Sequence, residues 1–269
     1  MHKYRWPALA GLFLSFSTVF AATDPDFSRF SHDEALAYSQ AAIGTTLQGI
    51  ELVKSDGSTV SLEAYRGKPL VISMIFSSCH HICPSTTQYL QQVVGKARAA
   101  LDADSFQVVS IGFDTANDSP ERMGQFRTST GVTDEYWDFL AGDEAGMANL
   151  VRQLGFIYTP SARGFDHLIQ TSVVDADGAI YRQVYGMSFP TPQLIEPLKE
   201  LVFGEPESQS ALDYLGKRIR LFCTVYDPAT DTYHIDVSVF IGTIVGLIVS
   251  LIFGRVLIKE WRRSIEADR

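Results

Sequence analysis

The stretch Leu70-Val71-Ile72-Ser73-Met74-Ile75-Phe76-Ser77-Ser78-Cys79-His80-His81-Ile82-Cys83-Pro84 joins an apolar run directly to two cysteines and a proline. A nearly continuous apolar segment of strand length suits a central strand covered on both faces. Pro84 then opens a helical pattern through Leu90, Val93, Val94 and Ala97 to about Leu101. Proline at the first helical position has no amide to leave unpaired, so Cys83 is expected to be the N-cap. The order strand, cysteine loop, helix is therefore predicted here.

Outward from that stretch the same alternation continues. Residues 47–53 and 59–62 read as short strands joined by the turn Lys54-Ser55-Asp56-Gly57-Ser58. Residues 106–113 form a second buried strand, and Ser119 as N-cap with Pro120 at the first helical position starts another helix. A strand-like patch at 137–140 leads to an amphipathic helix near 144–154. Residues 167–174 and 179–185, joined by Asp175-Ala176-Asp177-Gly178, predict a β-hairpin. Thr191 and Pro192 begin a helix that closes the domain near Leu201. This pattern predicts an α/β domain over 47–204 with a mixed sheet and covering helices. Residues 22–46 read as a polar arm with one helical patch around 32–42.

Both ends carry targeting and membrane signals. Met1-His2-Lys3-Tyr4-Arg5, an apolar run over 7–20 and the exit Val19-Phe20-Ala21-Ala22 describe a secretory signal peptide over 1–21, cut after Ala21. An uncleaved anchor is the alternative, and it implies export equally. Residues 236–258 are expected to span a membrane, since roughly 20 apolar residues cross a core of about 30 Å. Lys259, Arg262 and Arg263 follow the span, whereas Asp227, Asp231 and Asp236 precede it. By the positive-inside rule the tail 259–269 is cytoplasmic. The domain, with the juxtamembrane segment 205–235, is then expected on the periplasmic side of a bacterial inner membrane. Gly242 and Gly246 make a GxxxG that suits helix packing. A formal net charge of −9 and a pI near 5.1 argue against a nucleic-acid partner, which needs clustered Lys and Arg.

Three cysteines occur, Cys79, Cys83 and Cys223, too few for a disulfide-stapled scaffold. Cys79 and Cys83 are four apart, a spacing that permits a disulfide or a shared metal. Two thiolates at a helix N-terminus form a soft ligand set that suits Cu(I). An imidazole is the usual completion. Of six histidines, His2 falls in the signal peptide, His32 in the arm and His234 at the membrane edge, leaving His80, His81 and His167. His167, at the start of a predicted strand, is either a ligand or structural. Zinc is poorly supported, because the chain has one cysteine pair and no HxxxH partner. An inert structural disulfide is the remaining reading, and the strand-to-helix position argues against it.

The segment Ile75-Phe76-Ser77-Ser78-Cys79-His80-His81-Ile82-Cys83-Pro84-Ser85-Thr86 resembles the CxxxCP signature of the Sco/SenC proteins. The run from Ser110 to Glu121, with Asp114 and Asp118, is similar to that family's Asp-bearing strand end and helix start, and Asp166-His167 ahead of Asp175-Ala176-Asp177-Gly178 resembles its Asp-His plus hairpin. Together these cover 47–201. The resemblance implies a thioredoxin-like fold, copper bound by Cys79, Cys83 and His167, and a role in assembling the binuclear copper centre of cytochrome c oxidase. Its partners would be the copper-bearing oxidase subunit or another copper carrier, with the membrane engaged through the C-terminal helix. Some members act instead as thiol-disulfide reductants, which makes a Cys79/Cys83 oxidoreductase the alternative. A peroxide-reducing enzyme of the same fold is a third reading. The sequence departs from the family at His80 and His81, at Thr115-Ala116-Asn117, and in having a C-terminal anchor. Cys223 has no partner and reads as structural.

Overall fold

Strand β3, Leu70–Ile75, is buried at all six positions and runs through the middle of a seven-stranded sheet. The computed structural model describes residues 30–162, 164–204, 224–228, 230–235 and 238–267. Sheet order is β2-β1-β5-β4-β3-β8-β9. The strands are β1 Glu51–Lys54, β2 Thr59–Ser61, β4 Gln107–Gly112, β5 Trp137–Ala141, β8 Gln170–Val174 and β9 Ile180–Tyr185, with β6 Tyr158–Ser161 and β7 Gly164–His167 apart from them. β3, β4 and β5 are parallel neighbours, and the remaining pairings are antiparallel. The expected mixed sheet is thus present.

Parallel strands need crossovers, and here they are helical. α2, Ile82–Ala100, carries the chain from β3 to β4, while α3, Pro120–Thr130, carries it to β5. α4, Glu144–Leu154, and α5, Pro192–Gly204, complete the cover. Leu90, Val93, Val94 and Ala97 of α2 are buried, the i, i+3, i+4, i+7 stripe of an amphipathic helix. Ser119 caps α3 ahead of Pro120, as expected.

Two expectations are corrected. α2 begins at Ile82 with His81 as N-cap, so Cys83 is its second residue and Pro84 its third. Proline is tolerated there because the first four helical amides have no intrahelical partner. His167 does not open the β8–β9 hairpin; it ends β7, which pairs antiparallel with β6, and Leu168-Ile169 separate it from β8. The tight return between β6 and β7 requires Gly164, whose φ is +111° and where a Cβ would lie 2.9 Å from the Phe76 ring.

α1, His32–Ala41, packs onto the domain instead of hanging free. Ala35 joins Ile157 and Leu168 in a small apolar cluster, and buried Ser39 donates to Gln170 Oε1 at 2.7 Å. At the other end, the hairpin of β10, Thr224–Asp227, and β11, Thr232–Ile235, lies on α2 through the Lys96–Asp231 ion pair. Tyr233 also donates to Glu196 of α5 at 2.8 Å. α6, Ser238–Ala267, follows; its window Ile241–Lys259 has a mean hydropathy of 2.3, none of it buried by the rest of the chain. It is long and apolar enough to cross a membrane. The expected signal peptide and Cys223 lie outside the described residues.

Candidate metal and thiol site

The cysteine loop is held by backbone and carboxylate contacts before either sulfur is considered. Cys79 N–H donates to Phe76 O at 3.1 Å. Asp118 Oδ1 accepts the N–H of Ser77 at 2.8 Å and its Oδ2 the N–H of Asp114 at 2.9 Å, tying the loop after β3 to the loop after β4. Asp118 is only 2% exposed, and a Cβ on Gly112 would come 2.5 Å from its own Cβ, so the glycine makes room for the clamp. Burial raises the Asp118 carboxyl above the ordinary range, against the pull of the Ser77 and Asp114 hydrogen bonds. In the sequence Asp118 reads as part of a helix start and of a family-like segment, with no role of its own. Its clamp became legible once β3 and β4 were seen side by side.

Both cysteines are free thiols with different surroundings. Cys79 is partly exposed and its Sγ accepts the N–H of Cys83 at 3.3 Å, at the amino end of α2. Cys83 is 4% exposed. Burial pushes its thiol up, and the nearby Cys79 and Asp118 add to the rise against a backbone hydrogen bond at Phe76. One sulfur is therefore presented and the other held in reserve.

His167 occupies an aromatic box. Its ring lies 5.3 Å from Phe113, 5.5 Å from Phe156 and 6.0 Å from Phe76, centroid to centroid. Nδ1–H donates to Leu168 O at 2.7 Å, because a carbonyl can only accept. That fixes the tautomer and leaves the Nε2 lone pair available, the arrangement common to metal-binding imidazoles. Burial lowers its pKa below 6.5, opposed by the Leu168 hydrogen bond and the Asp166 charge, which favours the neutral ring that metal binding requires.

Cys79 and His167 line the same open cleft of about 560 Å³, with His80, His81, Asp166 and Phe30 also on its walls. Cys83 is buried and is not on those walls, although its N–H reaches Cys79 Sγ. Among the described residues, no three His, Cys, Asp or Glu side chains are gathered into a ready-made metal cluster. The sulfurs are together, and the imidazole faces the same space from a separate hairpin.

A family model described as SCO1/SenC matches residues 41–202. The chain belongs to the SCO1/SenC family. This SCO1/SenC protein is 26% identical to the "SCO1 protein homolog" of Bacillus subtilis (strain 168) over 149 residues, 54% of this chain and 76% of that protein. Its fold is thioredoxin-like and similar to that of BsSco, a member of the Sco family of cytochrome c oxidase assembly proteins (22% identity, TM-score 0.53, 59% of this chain and 94% of that one). It is similar also to Arabidopsis thaliana ScoI, solved with copper bound (17% identity, TM-score 0.51, 58% and 97%). The SCO1/SenC match ends before the β10–β11 hairpin and α6, so those elements lie beyond the shared domain.

Proposed function

We propose that this SCO1/SenC protein carries copper on the Sγ atoms of Cys79 and Cys83 and Nε2 of His167, and passes it to the copper-bearing subunit of cytochrome c oxidase or to another copper carrier. α6 would tether it to a bacterial inner membrane with the domain on the periplasmic side. The observation that carries this reading is that Cys79 and an Nδ1-anchored His167 open onto one cleft. Two thiolates and an imidazole form a soft set that favours Cu(I). A cargo site must also release its ion. Ligands on two separately supported loops suit that need, since withdrawing the β6–β7 hairpin lowers the coordination number without unfolding the domain. The copper-bound Arabidopsis ScoI and the oxidase-assembly family of BsSco support the cargo and the recipient.

The experiment is an anaerobic Cu(I) titration of the reduced full-length protein in detergent micelles against a competing chelator. Wild type should bind 1:1, and His167→Ala should bind at least roughly 10-fold more weakly. Equal affinity in the two proteins removes His167 from the ligand set.

One observation favours a second reading, a thiol-disulfide oxidoreductase: the unequal burial of two neighbouring cysteines, the Cys83 N–H donating to Cys79 Sγ. The Cys79 thiolate would attack a partner disulfide, releasing one partner thiolate and forming a mixed disulfide. Deprotonated Cys83 would then attack Cys79 Sγ, freeing the second partner thiolate and leaving Cys79–Cys83 oxidised. His167 is dispensable in that chemistry, so a His167→Ala protein with wild-type disulfide reduction and unchanged Cu(I) affinity would favour it over copper carriage.

A further inference from the structure

Two imidazoles at the cleft have no part in the Cys79, Cys83, His167 set. His80 and His81 both line the cleft and are exposed. His81 is the N-cap of α2, yet its side chain makes no capping bond, although Ser, Thr, Asn or Asp would be the ordinary choice there. The His81 ring is thus not spent on capping the helix. Across the same space, Asp166 presents an exposed carboxylate. The lining residues differ in exposure: the His80, His81 and Asp166 side chains are exposed, whereas Cys79 and His167 are only partly so.

Donor type sorts metal ions. Thiolates favour Cu(I), while imidazole and carboxylate with open positions for water suit Cu(II), which also heads the divalent affinity order. We infer that His80 and His81 form a second metal position at the mouth of the cleft, one that takes Cu(II) with water or Asp166 filling the remaining sites and is separate from the thiol position. The inference deepens the copper reading by naming the oxidation state that can be captured without the thiols. It rests on the mouth residues and requires no electron transfer.

The test removes the sulfurs first. Full-length Cys79→Ser/Cys83→Ser protein in micelles is titrated with Cu(II) against glycine and followed by EPR. It should bind a single Cu(II) with nitrogen hyperfine structure, and adding His80→Ala/His81→Ala should weaken binding by roughly 10-fold or more. Both pairs are substituted at the loop, so circular dichroism of each variant verifies the fold. The inference is overturned if the sulfur-free protein takes no Cu(II) from glycine, or if removing the two histidines leaves its affinity unchanged. A Cu(I) titration of His80→Ala/His81→Ala in the cysteine-containing chain separates the two sites. Unchanged Cu(I) affinity supports distinct positions, and an equal loss for both ions makes them one and overturns the proposal. Failure of wild type to hold Cu(I) would remove the thiol site and leave the Cu(II) result standing.

Discussion

Asp118 Oδ1 accepts the backbone N–H of Ser77 at 2.8 Å, linking two loops that are 41 residues apart in sequence. The contact places a buried carboxylate directly behind the cysteine loop. The chemistry proposed for Cys79 would therefore depend on a residue that lies off the cleft.

Asp118→Ala should leave the Ser77 and Asp114 amides without acceptors. Each orphaned buried donor costs about 1–3 kcal/mol, so a drop in the urea midpoint is expected. The loosened loop should also speed the reaction of Cys79 with a thiol reagent. A variant as stable as wild type would show that water replaces the clamp without cost.

Native alkylation should be strongly ordered. Limited iodoacetamide should label Cys79 first by roughly 10-fold or more, because Cys83 is buried and its thiol is held protonated. Peptide mapping by mass spectrometry reads the ratio, and equal labelling would contradict the unequal burial.

Acidification should weaken the metal-free protein through His167. Its folded pKa lies below 6.5, so the unfolded chain binds the extra proton first. This contribution is complete above the unfolded value and is lost as pH falls from about 6.5 towards the folded value. The difference in urea midpoint between wild type and His167→Gln should therefore shrink in favour of the variant between about pH 7.5 and about pH 5.5. Parallel pH profiles for the two proteins would count against a partly buried ring with a lowered pKa.

Gly164→Ala should be costly in two ways. The backbone at φ +111° resists any Cβ, and the added methyl meets the Phe76 ring at 2.9 Å. A loss of roughly 1–3 kcal/mol is expected by chemical denaturation, together with weaker Cu(I) retention as β7 and His167 shift. Unaltered Cu(I) binding would mean that the hairpin absorbs the change without moving the imidazole.

The legible parts of the fold were those with strong local signals. The continuous apolar run of β3 and the Ser119-Pro120 start of α3 appear as the sequence predicts, and α4 covers the expected 144–154. β6 and β7 were hidden because each has four residues, with Pro160 in one and Gly164 opening the other, so neither shows an alternating pattern. That omission is why His167 was expected at the head of β8. The docking of α1 was obscured for another reason: its inward residues include Ala35 and Ser39, small side chains that carry little apolar signal. At the cleft, motif and resemblance singled out Cys79, Cys83 and His167. The aromatic box around the imidazole and the Asp118 clamp depend on long-range packing that local pattern does not encode.

Only residues 236–237 separate β11 from α6, and β11 belongs to a hairpin moored to the cysteine helix at Lys96. In the proposed membrane setting so short a leash denies the head group of this protein a wide sweep. A recipient embedded in the same bilayer would then be met by sideways drift in two dimensions, where both molecules stay within reach after each failed encounter.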